Sequence, residues 1–82
     1  MITVQFFARY RETLGTDQEQ LPWDDGLDSL EALRTRLVAR GEGWSVLAER
    51  RLMCARNQDM CDLQEPLRDG DEVAFFPPVT GG

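Results

Sequence analysis

Two stretches, Ile2-Thr3-Val4-Gln5-Phe6-Phe7-Ala8-Arg9 and Glu72-Val73-Ala74-Phe75-Phe76, decide the fold. In the first, Ile2, Val4, Phe6 and Ala8 alternate with Thr3, Gln5, Phe7 and Arg9. That period of two describes a strand with one buried face. Phe7 breaks the pattern by putting an aromatic ring on the polar face. The second stretch places Val73 and Phe75 on one face and Phe76 on the other, so it breaks the pattern in the same way. The two lie at opposite ends of the chain.

Between them the elements follow in order. Tyr10 to Gly15 reads as one helical turn stopped by glycine. Gln18 to Leu21 forms a second strand ended by Pro22, and Trp23-Asp24-Asp25-Gly26 is a turn. Leu30, Leu33 and Leu37 line one face of the main helix. Asp28 is its expected N-cap, with Glu31 completing a capping box. Arg36 and Arg40 suit its last turns, and Gly41 its stop. Trp44 to Arg51 is a second helical segment. Leu52 to Asn57 and Met60 to Leu63 are strands around a turn at Asn57-Gln58-Asp59. Arg68-Asp69-Gly70-Asp71 is a turn. Strands at both ends with one helix between them predict an α+β domain with a mixed sheet. If the first and last strands pair in parallel, the helix crosses one face, which is the β-grasp or ubiquitin-like arrangement. The expected organisation is a β-grasp domain over residues 1–76 and a flexible, extended tail over 77–82.

Composition narrows the function. The chain has 82 residues, no histidine, and 9 basic against 15 acidic residues, for a net charge of -6. All the basic residues are arginine. Histidine triads, histidine metal sites and lysine Schiff bases are therefore excluded. The acidic balance argues against nucleic acid and anionic membranes and favours a basic protein partner. No apolar run is long enough to span a bilayer. The opening residues show no secretory pattern, and with two cysteines the expectation is a reducing, cytoplasmic setting. Asp24-Asp25 and Asp69/Asp71 read as turn residues, so no metal is expected. Cys54 reads as a small core hydrophobe. Neither it nor Cys61 has a histidine to activate it.

The chain closes on Pro77-Pro78-Val79-Thr80-Gly81-Gly82. The prolines cannot extend a central ladder and favour an extended conformation. A bare Gly-Gly ending arises by chance about once in two hundred chains, and a frayed terminus explains it equally well. A tail that must enter a narrow channel gives glycine a purpose, because it lacks Cβ. The chemistry would then belong to the terminal carboxylate, which must be activated before it can be attacked.

The ending Asp69 to Gly82 closely resembles the small, sulfur-carrying subunit of molybdopterin synthase. So does the opening Val4 to Gly15, while Ser29 to Arg34 and Ala55-Arg56-Asn57-Gln58 fit the same family. Arg56 stands where that family usually has an apolar residue. The resemblance implies a carrier cycle that binds no cofactor stably. An enzyme similar to ubiquitin-activating (E1) enzymes would adenylate Gly82 with ATP. A sulfur donor protein would convert the adenylate to a thiocarboxylate. The tail would enter the large synthase subunit and give its sulfur to cyclic pyranopterin monophosphate. The chain would not be catalytic alone, and a heterotetramer with the large subunit is implied. Gly82 would carry the sulfur and Gly81 would permit passage. Pro77, Pro78, Val79 and Thr80 would form the tail lying in the partner's channel. Phe7, Met60 and Phe76 would form an apolar patch against partners, with Arg11 pairing an acidic group there. The alternatives are a similar carrier of the thiamine type and a ubiquitin-like protein modifier.

Overall fold

The computed structural model describes residues 1–78. Five strands form one mixed sheet: β1 (Ile2–Phe6), β2 (Gln18–Leu21), β3 (Met53–Arg56), β4 (Asp59–Cys61) and β5 (Glu72–Phe76). Their order across the sheet is β2-β1-β5-β3-β4. The terminal strands β1 and β5 pair in parallel at the centre, with Val4 opposite Val73 and Phe6 opposite Phe75. All other pairings are antiparallel. A short helix α1 (Arg9–Leu14) follows β1, and the main helix α2 (Leu30–Val38) packs across one face. This is the β-grasp arrangement expected from the two end strands.

The alternating residues make the core. Ile2, Val4 and Phe6 from β1, Val73 and Phe75 from β5, and Leu30, Leu33 and Leu37 from α2 are all buried. Tyr10 on α1 and Leu47 join them. Burying an apolar side chain of this size contributes about 1.5–3 kcal/mol, so this cluster is the main source of stability.

Several boundaries depart from the sequence reading, each for a physical reason. The alternation of β1 ends before Ala8, which is exposed. Its φ of 55° turns the chain into α1, and Tyr10 fills the core instead. The N-cap of α2 is Ser29, not Asp28. Ser29 is extended, and its hydroxyl accepts from the Ala32 N–H at 3.1 Å. Further backbone donors at the helix start find carbonyls in the 63–67 loop, Leu30 N–H to Glu65 and Glu31 N–H to Leu63. Asp28 is held by the same loop, its carbonyl accepting from Leu67. Helix α2 also stops at Val38, so Arg40 lies beyond it. Arg40 instead pairs with Glu19 of β2 and lies 4.5 Å from the Trp44 ring centre. The second helical segment is a 3-10 turn over Trp44–Ala48 only. The β3–β4 hairpin is tighter than read, closing on Asn57 and Gln58, both at positive φ. Such a two-residue turn matches the twist of its strands. Gly15 caps α1 at φ 71°, the left-handed position expected of it.

Candidate functional site

Helix α2 covers one face of the sheet and leaves the other open. The register decides which side chains meet there. Gln5 pairs with Ala74, Ala74 with Ala55, and Ala55 with Met60. This row therefore runs across four strands with two alanines at its centre. The next row toward the end of β5 carries Phe76, paired with Met53 on one side. On the other side is Phe7, the residue after β1. Small residues in one row and rings in the next leave a groove of about 240 Å³. Its walls are Phe7, Phe76 and Met60, its floor is Ala55 and Ala74, and Gln5, Gln58 and Glu72 border it.

The two phenylalanines act as one surface. Their rings stack with centroids 4.9 Å apart and planes 11° from parallel. Phe7 is 39% exposed and Met60 58%. Large apolar side chains grouped on an open face mark an interaction site, whereas scattered ones do not. The structure thus brings together Phe7, Met60 and Phe76 as the sequence reading expected. Pro77 and Pro78 follow directly from Phe76 and are half-buried. Val79, Thr80, Gly81 and Gly82, the remaining tail positions, lie outside the described residues. Arg11 is exposed on α1 and does not line the groove. The sequence reading missed Ala55, Ala74 and Met53. Their signal was present in the sequence of β3 and β5, where each is next to a core residue: Met53 and Ala55 flank Cys54, and Ala74 lies between Val73 and Phe75.

Polar groups hold the hairpin that carries Met60. Arg56 donates from Nε to Asp71 at 2.7 Å and from Nη1 to Glu65 at 3.2 Å. Asp71 also accepts from Asn57 Nδ2 at 3.0 Å and from the Arg68 N–H at 2.8 Å. Burial pushes the Asp71 carboxyl up, but these donors outweigh it and hold it below the usual carboxylate range. Arg56, a charged side chain within the hairpin, is accommodated by these two carboxylates. Asp24 closes its own turn by accepting from the Gly26 N–H, and it pairs with Arg36. Among the described residues no cluster of three Cys, Asp or Glu side chains is placed to hold a metal ion.

The cysteines face each other across β3 and β4 and are both free thiols. Burial pushes Cys54 up to about 12, and Cys61 is raised for the same reason. A thiol this far from ionisation is a poor nucleophile at neutral pH. That agrees with Cys54 as a core residue.

The geometry defines a β-grasp domain with an apolar groove on the uncovered face of its sheet, beside the root of its C-terminal tail. The chain belongs to the ThiS family, whose model matches residues 4–82. It is 47% identical over 83 residues to the molybdopterin synthase sulfur carrier subunit of Escherichia coli (strain K12), covering 100% of both chains. Among solved structures it is similar to SAMP1 from Haloferax volcanii, with TM-score 0.79 and 25% identity, covering 99% of this chain and 98% of that one. It is also similar to a chain in the complex of subunits 1 and 2 of molybdopterin-converting factor from Helicobacter pylori 26695. There the TM-score is 0.66 and the identity 28%, covering 99% of this chain and 97% of that one.

Proposed function

We propose that this chain is the sulfur carrier subunit of a molybdopterin synthase. One observation carries the reading: Phe7, Phe76 and Met60 form an apolar docking groove immediately before the tail. Full-length similarity to a molybdopterin synthase sulfur carrier subunit supports it. The groove docks the large synthase subunit, a partner supported by the two-subunit Helicobacter pylori complex. Pro77, Pro78, Val79 and Thr80 then run into that subunit's channel, and Gly81 and Gly82 pass its narrowest part.

The chemistry happens at the Gly82 carboxylate. An E1-like enzyme joins it to AMP, releasing pyrophosphate from ATP. A donor protein supplies sulfur that displaces AMP, leaving a thiocarboxylate. That sulfur passes to cyclic pyranopterin monophosphate, so two carriers serve each dithiolene. The chain brings no acid or base of its own, in line with its lack of histidine and lysine. Two cysteines that stay free thiols, Cys54 and Cys61, support placing this cycle in the reducing cytoplasm. A second reading, a protein modifier, draws on the likeness to SAMP1 and to the small archaeal modifier protein 1 of Haloferax volcanii.

Intact mass spectrometry of the chain made in its own host tests the proposal. The expected species is heavier by the difference between sulfur and oxygen, localised to the last peptide and absent when Gly82 is deleted. A carrier in its discharged form looks unmodified, so incubation with ATP, the E1-like enzyme and a sulfur donor follows. Failure to form the thiocarboxylate there refutes the carrier reading. A Gly82-dependent ladder of conjugates on a denaturing gel favours the modifier.

A further inference from the structure

Methionine commonly fills gaps in a core, yet none of the 3 methionines of this chain is buried. Met1, Met53 and Met60 are 54%, 38% and 58% exposed. Among the described residues the buried apolar core is built from Ile, Val, Leu, Phe, Tyr, Ala and Cys alone.

Two of the three stand on the open face of the sheet. Met60 is a wall of the groove and pairs with Ala55 on its floor. Met53 lies two residues from Ala55 along β3 and pairs with Phe76, whose ring stacks on Phe7. Leucine has nearly the same volume and would supply the same apolar surface, so packing alone gives no reason for a thioether at either place. What a thioether adds is reactivity. Its sulfur has no proton to lose, so an exposed methionine accepts an oxygen atom from a hydroperoxide without an activating base. The thiols of this chain are poorer targets, because peroxide attacks the thiolate. Cys54 is buried and pushed up to about 12, and Cys61 is raised as well.

We propose that Met53 and Met60 form an oxidation site in the groove, and that a hydroperoxide acting there stops the free carrier from docking on the large subunit. The inference rests on the functional reading above and adds its control by oxidation. In each event the O–O bond of the hydroperoxide breaks and one oxygen forms an S–O bond at the methionine Sδ. The rest of the peroxide leaves as water or an alcohol. The sulfur is oxidised by two electrons and the peroxide is reduced by two. The sulfoxide oxygen is strongly polar, and docking would bury it beside the rings of Phe7 and Phe76 and the methyl groups of Ala55 and Ala74. Burying a polar group without a donor is unfavourable. The change is reversible, because sulfoxide reductases restore the thioether.

The experiment treats the full chain with hydrogen peroxide, quenches it, maps the sulfoxides by peptide mass spectrometry and titrates the large subunit by calorimetry. Met53 and Met60 are expected to oxidise about as fast as Met1, and both are expected to be protected in the preformed complex while Met1 is not. Met1 serves as the internal control because it lies at the other end of β5, where its carbonyl accepts from the Gly70 N–H. Oxidised wild type is expected to bind about tenfold more weakly or worse, and methionine sulfoxide reductase is expected to return the original affinity. Met53→Leu/Met60→Leu keeps Met1 and both cysteines. Whatever its starting affinity, peroxide is expected to change it by less than about twofold. If that variant binds too weakly to measure, the reductase step on wild type carries the test. Unchanged affinity with both sites fully oxidised overturns the inference. So does an equal loss in the leucine variant, or a circular dichroism spectrum showing that oxidation unfolds the chain. Failure of the untreated wild-type chain to bind the large subunit at all is a different result: it removes the functional reading, and this inference with it.

Discussion

Phe75 and Phe76 are adjacent and chemically identical, yet the sheet assigns them opposite jobs. Phe75 is fully buried under α2. Phe75→Ala is expected to cost about 3–5 kcal/mol, the usual range for a phenylalanine deleted from a core. A domain of this size holds only about 4–12 kcal/mol in total, so much of its stability is at stake. With a urea slope of about 1.5 kcal/mol/M, the unfolding midpoint falls by about 2–3 M. Phe76 is half-buried on the open face and stacks on Phe7. Its loss removes a ring pair contributing about 0.5–1.5 kcal/mol beyond area and about half of the 1.5–3 kcal/mol that full burial contributes, so the midpoint falls by about 1–2 M. Binding shows the reverse. As an aromatic anchor at the centre of the proposed interface, Phe76 is expected to contribute about 2–4 kcal/mol to the complex. Phe76→Ala should therefore weaken binding to the large subunit about thirtyfold or more. Urea titration gives the first quantity and isothermal titration calorimetry the second. If Phe76→Ala unfolds as readily as Phe75→Ala, the ring belongs to the core. If it binds with wild-type affinity, the groove is not the docking site.

Acid should unfold the domain in a defined window. Hydrogen bonds to Arg40 hold Glu19 below its usual range, Arg36 does the same for Asp24, Arg9 and Tyr10 for Glu49, and the donors around Asp71 hold that carboxyl down against its burial. A depressed folded-state value gives stability that is complete above the unfolded range, about pH 4, and is lost as pH falls through the folded values. The urea midpoint should stay level from neutral pH to about 5 and fall steeply below about 4; Asp71→Asn should narrow that fall. Tyr10, the single tyrosine, has its phenol raised by burial and by its bond to Glu49. Absorbance titration should show no phenolate step near pH 10, the usual range for tyrosine at about 10, until the chain unfolds. Inserting two residues after Pro78 lengthens the tail by up to about 7 Å. The variant should still form the complex but lose sulfur transfer in a reconstituted synthase assay, and retained transfer would show that tail length is not critical.

The sheet was legible because β1 and β5 alternate cleanly and α2 has one apolar stripe. The aromatic exceptions Phe7 and Phe76 were equally legible, since each breaks an alternation. What escaped the sequence reading depends on contacts between distant segments. Ser29 caps α2 in place of Asp28 because the 63–67 loop already engages the Asp28 carbonyl. Arg40 leaves the helix for Glu19, which is 21 residues away, and lies over Trp44 across the turn that follows. Arg56, a mismatch within its hairpin, makes sense only once Asp71 and Glu65 approach from elsewhere. The groove floor was missed because Ala55 and Ala74 carry no chemistry. They matter by being small between larger neighbours, and only the strand register reveals that.

The parallel pairing of β1 with β5 links docking to delivery in the proposed cycle. It places Phe7 beside Phe76, so the apolar surface exists only when the two ends of the chain are joined in the folded sheet. The same pairing fixes where residue 77 begins. Six residues of extended chain reach at most about 20 Å, so in that cycle the reacting carboxylate would lie within that radius of the groove. A partner that grips Phe7 and Phe76 would thereby place Gly82 within reach of its own active site, and the proposed cycle would need no catalytic side chain on the carrier. An unfolded chain offers neither the grip nor the fixed origin, so the proposed transfer would be restricted to carriers that have folded.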